Sequence, residues 1–332
     1  MTMTGTKKNI ETVVDFEPQI DLLTFSKAVA DDVRLRILRI LRNESFGVLE
    51  LCQILNLKQS ALSHHLKILS DSQLLSRRRE GNSIFYSRNV NLFGSLARLQ
   101  AEFYASVDTY VLDAGIVARV KALQETRETK SQDFFRQHHE QFAENQELVA
   151  PISAYEQQLL ELLKSRFNEK NVENVLEVGP GTGEFIPHLS ELFSQVDVLD
   201  NSPEMLAAAK MYCRERDIMG INYLLGDTQS EQLADEQYQC VVMNMVLHHN
   251  ASPSRILTDV FSKIQHKGRL FISELGAHQQ DWVRESCGDL WLGFNSDELN
   301  QMAVDAGFKE GASCYYAQRN GFVVLLKEFI KP

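Results

Sequence analysis

The spacing of apolar and polar positions changes several times along the chain. A polar start, residues 1–19, gives way at Ile20–Ala30 to an amphipathic run. Asp31-Asp32 then opens Val33–Leu41, acidic residues that suit a helix N-terminus. After Asn43–Gly47 the pattern predicts a short helix over Val48–Leu55, a turn at Asn56–Gln59 and a second helix over Ser60–Ser70. In that second helix Leu62, Leu66 and Leu69 fall on one face, while Ser60, Ser63, His64 and Lys67 share the other. From Leu74 the period shortens to two: Leu74–Arg79, a turn at Glu80-Gly81-Asn82, and Ser83–Arg88 predict a β-hairpin. Residues 92–147 run with few breakers and mixed charge, predicting a long helix, an interruption near Glu125–Ser131, and another helix.

Beyond Pro151, apolar strand candidates alternate with helical stretches. They are Asn174–Val178, Glu184–Phe193, Gln195–Leu199, Pro203–Arg214, Tyr223–Leu225, Cys240–Met245, Ser254–Ile264 and Arg269–Glu274. Such alternation predicts a parallel α/β sheet. Tyr315–Gln318 and Gly321–Glu328 read as an antiparallel hairpin closing it.

A chain of 332 residues, 44% hydrophobic, has room for two cores. No apolar run reaches the roughly 18 residues of a membrane span, and the first ten residues lack a signal-peptide core, so a cytoplasmic protein without membrane contact is expected. The five cysteines stand singly, with no close pair for a disulfide framework or a zinc knuckle. Net charge is −11, but residues 26–98 carry +6 and the remainder −17. A basic island on an acidic chain is the electrostatic pattern of a DNA-reading module joined to something else.

Within that island, Gln59, Ser60, Ser63 and His64 are candidates for base contacts in a major groove, and Lys58 and Lys67 for phosphate. Arg77, Arg78 and Arg79 load the first arm of the hairpin, a wing able to follow the DNA backbone or enter the minor groove. FSKAVADDVRLRILRIL, LKQSALSHHLKIL and LLSRRREGNSIFYSRN together resemble the arsenical-resistance-repressor (ArsR) family of winged helix-turn-helix regulators over about residues 20–115. The resemblance implies a homodimer built from Ile20–Ala30 and the helix after the wing, about Leu92–Thr126, on a palindromic double-stranded operator. Two departures stand out. The metal-sensing branch has two cysteines one residue apart in its third helix, whereas ELCQIL keeps only Cys52, so no metal is expected there. Lys58 stands where a Ser or Thr cap is usual, forfeiting about 1 kcal/mol.

The strongest chemical signal is Val175-Leu176-Glu177-Val178-Gly179-Pro180-Gly181-Thr182-Gly183, an apolar strand running into a GxGxG turn. Glycines allow backbone to approach a ligand closely. A dinucleotide fingerprint would need glycine at 184, where Glu184 would oppose a pyrophosphate. Asp200, seventeen residues past Gly183, is placed to accept both hydroxyls of a ribose. Asn201 and Met205 open the next helix, with Met205 over the adenine face, and Gly226-Asp227-Thr228 follows the third strand near the adenine amino group. LEVGPGTG with VLDNSPEML resembles the first motifs of class I S-adenosylmethionine (SAM) methyltransferases, over about residues 130–330. By that resemblance Glu177 and Gly179 hold the methionine end, Asn244 lies near the sulfonium, and SQDFFRQHHEQF forms a lid with Phe134 and Phe135 near the cofactor.

The expected architecture is therefore an α+β winged helix domain (20–115), a helical linker and lid (116–150) and an α/β Rossmann-like methyltransferase domain (151–332). Methyl transfer needs alignment and sometimes a base. His248 and His249 are the candidate bases, although a histidine pair at a strand end is as often pocket wall. The signatures of amino-directed and cytosine DNA methyltransferases are absent. Two readings follow: a repressor with SAM or S-adenosylhomocysteine (SAH) as effector, or an active small-molecule methyltransferase carrying its own regulatory module. Fusions of this kind resemble regulators of methionine and SAM-cycle genes, where SAH is the sensible signal.

Overall fold

The computed structural model describes residues 22–42, 44–80, 83–89, 96–167 and 174–332, with the side chains of 80 and 139–144 outside that description. The N-terminal unit comprises α1 (Leu22–Val29), α2 (Asp32–Ile40), β1 (Phe46–Gly47), α3 (Val48–Leu55), α4 (Gln59–Asp71), β2 (Leu75–Glu80), β3 (Ser83–Arg88) and α5 (Ala97–Asp108). Asp31 caps α2 by accepting the Arg34 N–H at 3.0 Å, and left-handed Asn56 (φ 53°) ends α3. Lys58 makes no side-chain cap on α4. Leu62, Leu66 and Leu69 of α4 are buried with Phe25, Ile37, Leu38, Phe46 and Leu51 in one core. The strands order β1-β3-β2, all antiparallel, and β2 meets β3 from Leu75↔Arg88 to Glu80↔Ser83. The polar start, Ile20, the Gly81-Asn82 turn and Leu92 lie outside the described residues.

Arg88 ties this unit together. Its guanidinium donates to the Leu38 carbonyl (2.6 Å) and Asp108 (2.7 Å) and covers the Tyr104 ring, so α2, β3 and α5 converge on one buried cation.

A single helix, α6 (Ala114–Val149), then runs for 36 residues. The break expected at Glu125–Ser131 does not occur; the chain breaks instead between α5 and α6, where Asp113 caps the new helix through the Ile116 N–H. ETRETKS contains no proline or glycine, and both its ends are anchored, Arg127 on Glu50 and Ser131 on the His249 carbonyl. The first half of α6 also belongs to the N-terminal core through Ile116, Val120 and Leu123, so the linker is not a separate segment.

The C-terminal unit continues with α7 (Glu156–Arg166), β4 (Asn174–Val178), α8 (Ile186–Leu192), β5 (Gln195–Asp200), α9 (Pro203–Glu215), β6 (Ile221–Leu225), β7 (Tyr238–Asn244), α10 (Pro253–Lys263), β8 (Ile264–Leu275), α11 (Val283–Ser286), α12 (Ser296–Asp305), β9 (Lys309–Ala317) and β10 (Val323–Ile330). Helices α7 and α12 were not expected from the sequence pattern. The seven strands order β6-β5-β4-β7-β8-β10-β9, parallel from β6 to β8, with β10 antiparallel to both neighbours. This is a Rossmann-like methyltransferase fold behind a winged helix. The strand order reverses beside β4, which opens a crevice at the strand C-termini. No described helix is long and apolar enough to cross a membrane.

Replacing Arg88 with Met would leave Asp108 without its buried partner. A loss of about 3 kcal/mol is expected, read as a lowered urea midpoint of the full chain; an unchanged midpoint would show that Arg88 is not what ties these elements together.

Candidate functional site

The β4 carboxyl end carries the glycine turn into the crevice. At Gly181 (φ +57°) a side chain would meet open space, whereas at Gly183 (φ +90°) a Cβ would stand 2.9 Å from Ala209 Cα. Gly181 therefore faces the crevice, while Gly183 seats the turn against α9 and lines neither of the two cavities beside it. Two cavities flank the turn and share Gly179, Gly181 and Met245.

The first cavity brings together Phe135, Asp200, Asn201, Met205, Gly226, Asp227, Thr228 and His249. Asp200 accepts the Ser202 N–H at 2.8 Å, and burial pushes its carboxyl up to about 6. Asp227 accepts the Gln229 N–H and Thr228 donates to Asp259, so β6 ends in an ordered turn. Sequence reasoning missed Glu128, Ser131 and Gln132 from α6, and Ser252 and Arg255 at the start of α10. The Ser-Pro helix opening at Ser252-Pro253 was the available signal for the last two.

Glu177 and Asn244 line the second cavity, about 520 Å³, with Glu156, Glu184 and His188. Asn244 donates to Glu177 Oε1 at 3.4 Å, and Ser273 donates to Asn244 Oδ1 at 2.8 Å. Glu177 Oε2 is buried and makes no hydrogen bond among the described residues; desolvation pushes this carboxyl up to about 8. Such a group is suited to a cationic ligand atom.

Besides Gly183, two sequence-predicted residues fall outside both cavities. Phe134 stacks on His138 at 4.6 Å and packs against Gly288, leaving Phe135 to form the wall edge-on to His249. His248 is buried and lines neither cavity, hydrogen-bonded to Glu274 through Nδ1 with Asp289 3.8 Å from Nε2. Its neighbours' charges outweigh desolvation and raise it to about 9, whereas burial and the charge of His248 hold His249 well below the usual histidine range.

On the N-terminal unit, Gln59, Ser60, Ser63, His64 and Lys67 of α4 are all exposed, as is Lys58 just before it. The wing arginines divide. Arg77 and Arg79 are exposed, but the two-residue period of β2 turns Arg78 to the opposite face. There Arg78 donates to Glu298 (2.8 Å) and the Gly293 carbonyl (3.1 Å) and lies over the Trp291 and Phe294 rings. In this conformation Arg78 belongs to an interdomain contact and not to a DNA-facing surface.

Other side chains cross the same boundary. Arg127 of α6 binds Glu50 at 2.6 Å and covers the rings of Phe46, Phe85 and Trp291. Glu44 accepts from Gln124 and from Ser252, itself a wall residue of the first cavity. Burial pushes Glu44 up to about 7.

Comparison with known proteins follows the two units. Residues 31–77 match the family described as bacterial regulatory protein, arsR family, and residues 176–272 match a methyltransferase domain. Over 66 residues the chain is 32% identical to the transcriptional repressor SdpR of Bacillus subtilis, covering 20% of this chain and 73% of that one. Over 120 residues it is 27% identical to a malonyl-[acyl-carrier protein] O-methyltransferase of Bacillus cereus, covering 36% of this chain and 43% of that one. Among solved structures, the N-methyltransferase NodS of Bradyrhizobium japonicum in complex with SAH aligns with a TM-score of 0.43 and 18% identity, covering 53% of this chain and 87% of that one.

A ligand that uses ionised Asp200 and Glu177 lowers both pKa values and releases protons on binding. Affinity for SAH is therefore expected to rise with pH in two steps, near 6 and near 8, and to flatten above them. In calorimetry Asp200→Asn should remove the lower step and weaken binding about tenfold or more at pH 7.5; Glu177→Gln should remove the upper step. A pH-independent affinity for the parent chain would refute both assignments.

Proposed function

Because the chain belongs to the arsR family of bacterial regulatory proteins and carries a methyltransferase domain behind its DNA-reading unit, we propose that it is a cytoplasmic repressor whose methyltransferase domain binds SAM or SAH as effector. It acts as a homodimer on a palindromic operator, with methionine or SAM-cycle genes as the expected targets. The observation that carries this reading is the sharing of structural parts. Helix α6 contributes Arg119 and Arg127 to the DNA-reading unit, bonded to the Ile54 carbonyl and Glu50, and further along contributes Ser131, Gln132 and Phe135 to the nucleoside cavity. Ser252, in the wall of that cavity, hydrogen-bonds Glu44 of the DNA-reading unit. A ligand that prefers one arrangement of these parts must shift DNA affinity by the same coupling free energy.

The second reading, methyl transfer to a small molecule, draws on the cavity of about 520 Å³ beside Glu177, which leaves room for an acceptor. It has to proceed without His248, which is sealed from both cavities.

Operator fragments selected from a random duplex library provide the test. Saturating SAH or SAM is expected to change the dissociation constant of the full chain for its operator by about fivefold or more, the lower end of typical coupling. Lys67→Ala should weaken binding across sequences and reduce the salt slope by about one. Identical operator affinity with and without either nucleoside would rule out the effector reading, and SAH production from SAM with an acceptor panel would favour the second.

A further inference from the structure

Behind the wall of the nucleoside cavity, three buried side chains from two separate segments converge. His248 and His249 stand in the 3-10 turn after β7, and Asp289 in the loop after α11; the three each offer one ligand atom, all within 4.8 Å of one another. Their relative exposures are 1%, 6% and 3%. Asp289 Oδ1 lies 3.8 Å from His248 Nε2 and 3.7 Å from His249 Nδ1, and the imidazole centroids are 4.0 Å apart with planes inclined by 45°. Around an ion held tetrahedrally at about 2.1 Å, donor atoms are separated by roughly 3.4 Å. The two carboxylate contacts stand within a few tenths of an ångström of that spacing, and all three donor atoms lie within 4.8 Å of one another.

A second observation bears on the same point. Glu274 hydrogen-bonds His248 Nδ1, and its own oxygens are fixed by the N–H groups of Leu247 (2.8 Å) and Leu275 (2.7 Å). His248 Nε2 is thereby aimed at Asp289, and it makes no hydrogen bond among the described residues. A carboxylate behind an imidazole, orienting the far nitrogen, is the outer-shell arrangement of metal-bound histidine. Glu274 and Asp289 also bring two formal negative charges to this cluster, which a divalent ion neutralises.

We propose that His248, His249 and Asp289 bind one divalent transition-metal ion, with Glu274 as the orienting partner of His248. Two imidazole nitrogens and one carboxylate oxygen suit zinc or ferrous iron and not calcium or magnesium, which take oxygen ligands. The ion would brace the segment between cavity and wing. His249 lines the cavity, and the Leu290 and Trp291 N–H groups both donate to the His248 carbonyl, at 2.9 and 3.1 Å. Trp291 in turn supports Phe85 and Arg78 of the wing. This site is independent of the effector reading, since its occupancy is measured without nucleoside or DNA.

The full chain, stripped with chelator, is titrated with Co(II) and separately with Zn(II). One ion per chain is expected, with the visible absorption of low-coordinate Co(II). Asp289→Asn and His249→Gln, near in volume to the parent side chains, should each lose at least tenfold in affinity while far-ultraviolet circular dichroism stays unchanged. Glu274→Gln should lose about 10–100-fold. X-ray absorption of the Zn(II)-loaded parent chain requires no variant, and should give a nitrogen and oxygen shell near 2.0–2.1 Å without sulfur. Binding well below one equivalent, a sulfur shell near 2.3 Å, or unchanged affinity in folded Asp289→Asn would each overturn the site.

Discussion

The guanidinium of Arg127 sits where the two units meet, and the architecture depends on that placement. Its charge is matched by Glu50 of α3 and its faces lie against Phe46 and Phe85 of the small sheet and Trp291 of the methyltransferase domain. A buried cation requires a partner, and an aromatic enclosure adds attraction without adding a competing proton acceptor. Because Arg127 is carried by α6, satisfying it orients the whole helix. The helix then delivers Ser131 and Phe135 to the cavity wall four and eight residues later, about one and two turns along the same face. One ion pair thus links the small sheet of the N-terminal unit to the helix that walls the cavity.

This arrangement explains the joint behaviour of the two resemblances. The N-terminal unit has the reading helix and wing of its family, but Cys52 stands without the second thiolate of the metal-sensing branch, and burial raises its pKa. The C-terminal unit has an acidic residue at each expected strand end, Glu177, Asp200 and Asp227, but its candidate base His248 faces two carboxylates instead of a cavity. Cys52 therefore has no second thiolate at the expected spacing, and of the histidine pair only His249 lines one of the two cavities. What the fusion supplies is contact between the two units, through Glu44, Arg78 and Arg127.

Local periodicity made most of the architecture legible. The three leucines of α4 are buried and its polar face exposed, as a 3.6-residue period requires, and the alternating strands and helices after Pro151 assemble into the expected parallel sheet. The failures have a common origin in distance along the chain. Residues 125–131 look like a break until Glu50 and the His249 carbonyl are seen to anchor them, from 77 and 118 residues away. His248 looks like a base until Glu274 and Asp289 close around it. Arg78 is a different case, because the alternation of β2 by itself separates it from Arg77 and Arg79. Gly183 likewise differs from its neighbours in the GxGxG turn, because its role is to let the turn pack on Ala209.

The contact between Arg78 and the methyltransferase domain is of a strength suited to regulation. Arg78 and Glu298 keep 17% and 26% of their side-chain surface exposed, so water weakens their attraction, and a pair of this kind contributes at most about 1 kcal/mol. The Trp291 and Phe294 rings add about 0.5–2 kcal/mol. The sum falls in the range of about 1–3 kcal/mol typical of coupling between sites. A much stronger latch would hold the wing against its neighbour whatever occupied the cavity, and a much weaker one would leave the two units uncoupled. Trp291 touches both Arg78 and Arg127, and its N–H donates to the Asn250 carbonyl beside the cavity wall. Under the proposed effector reading, a shift of that wall would reach the wing through this one aromatic side chain, which already joins the cavity wall to Arg78.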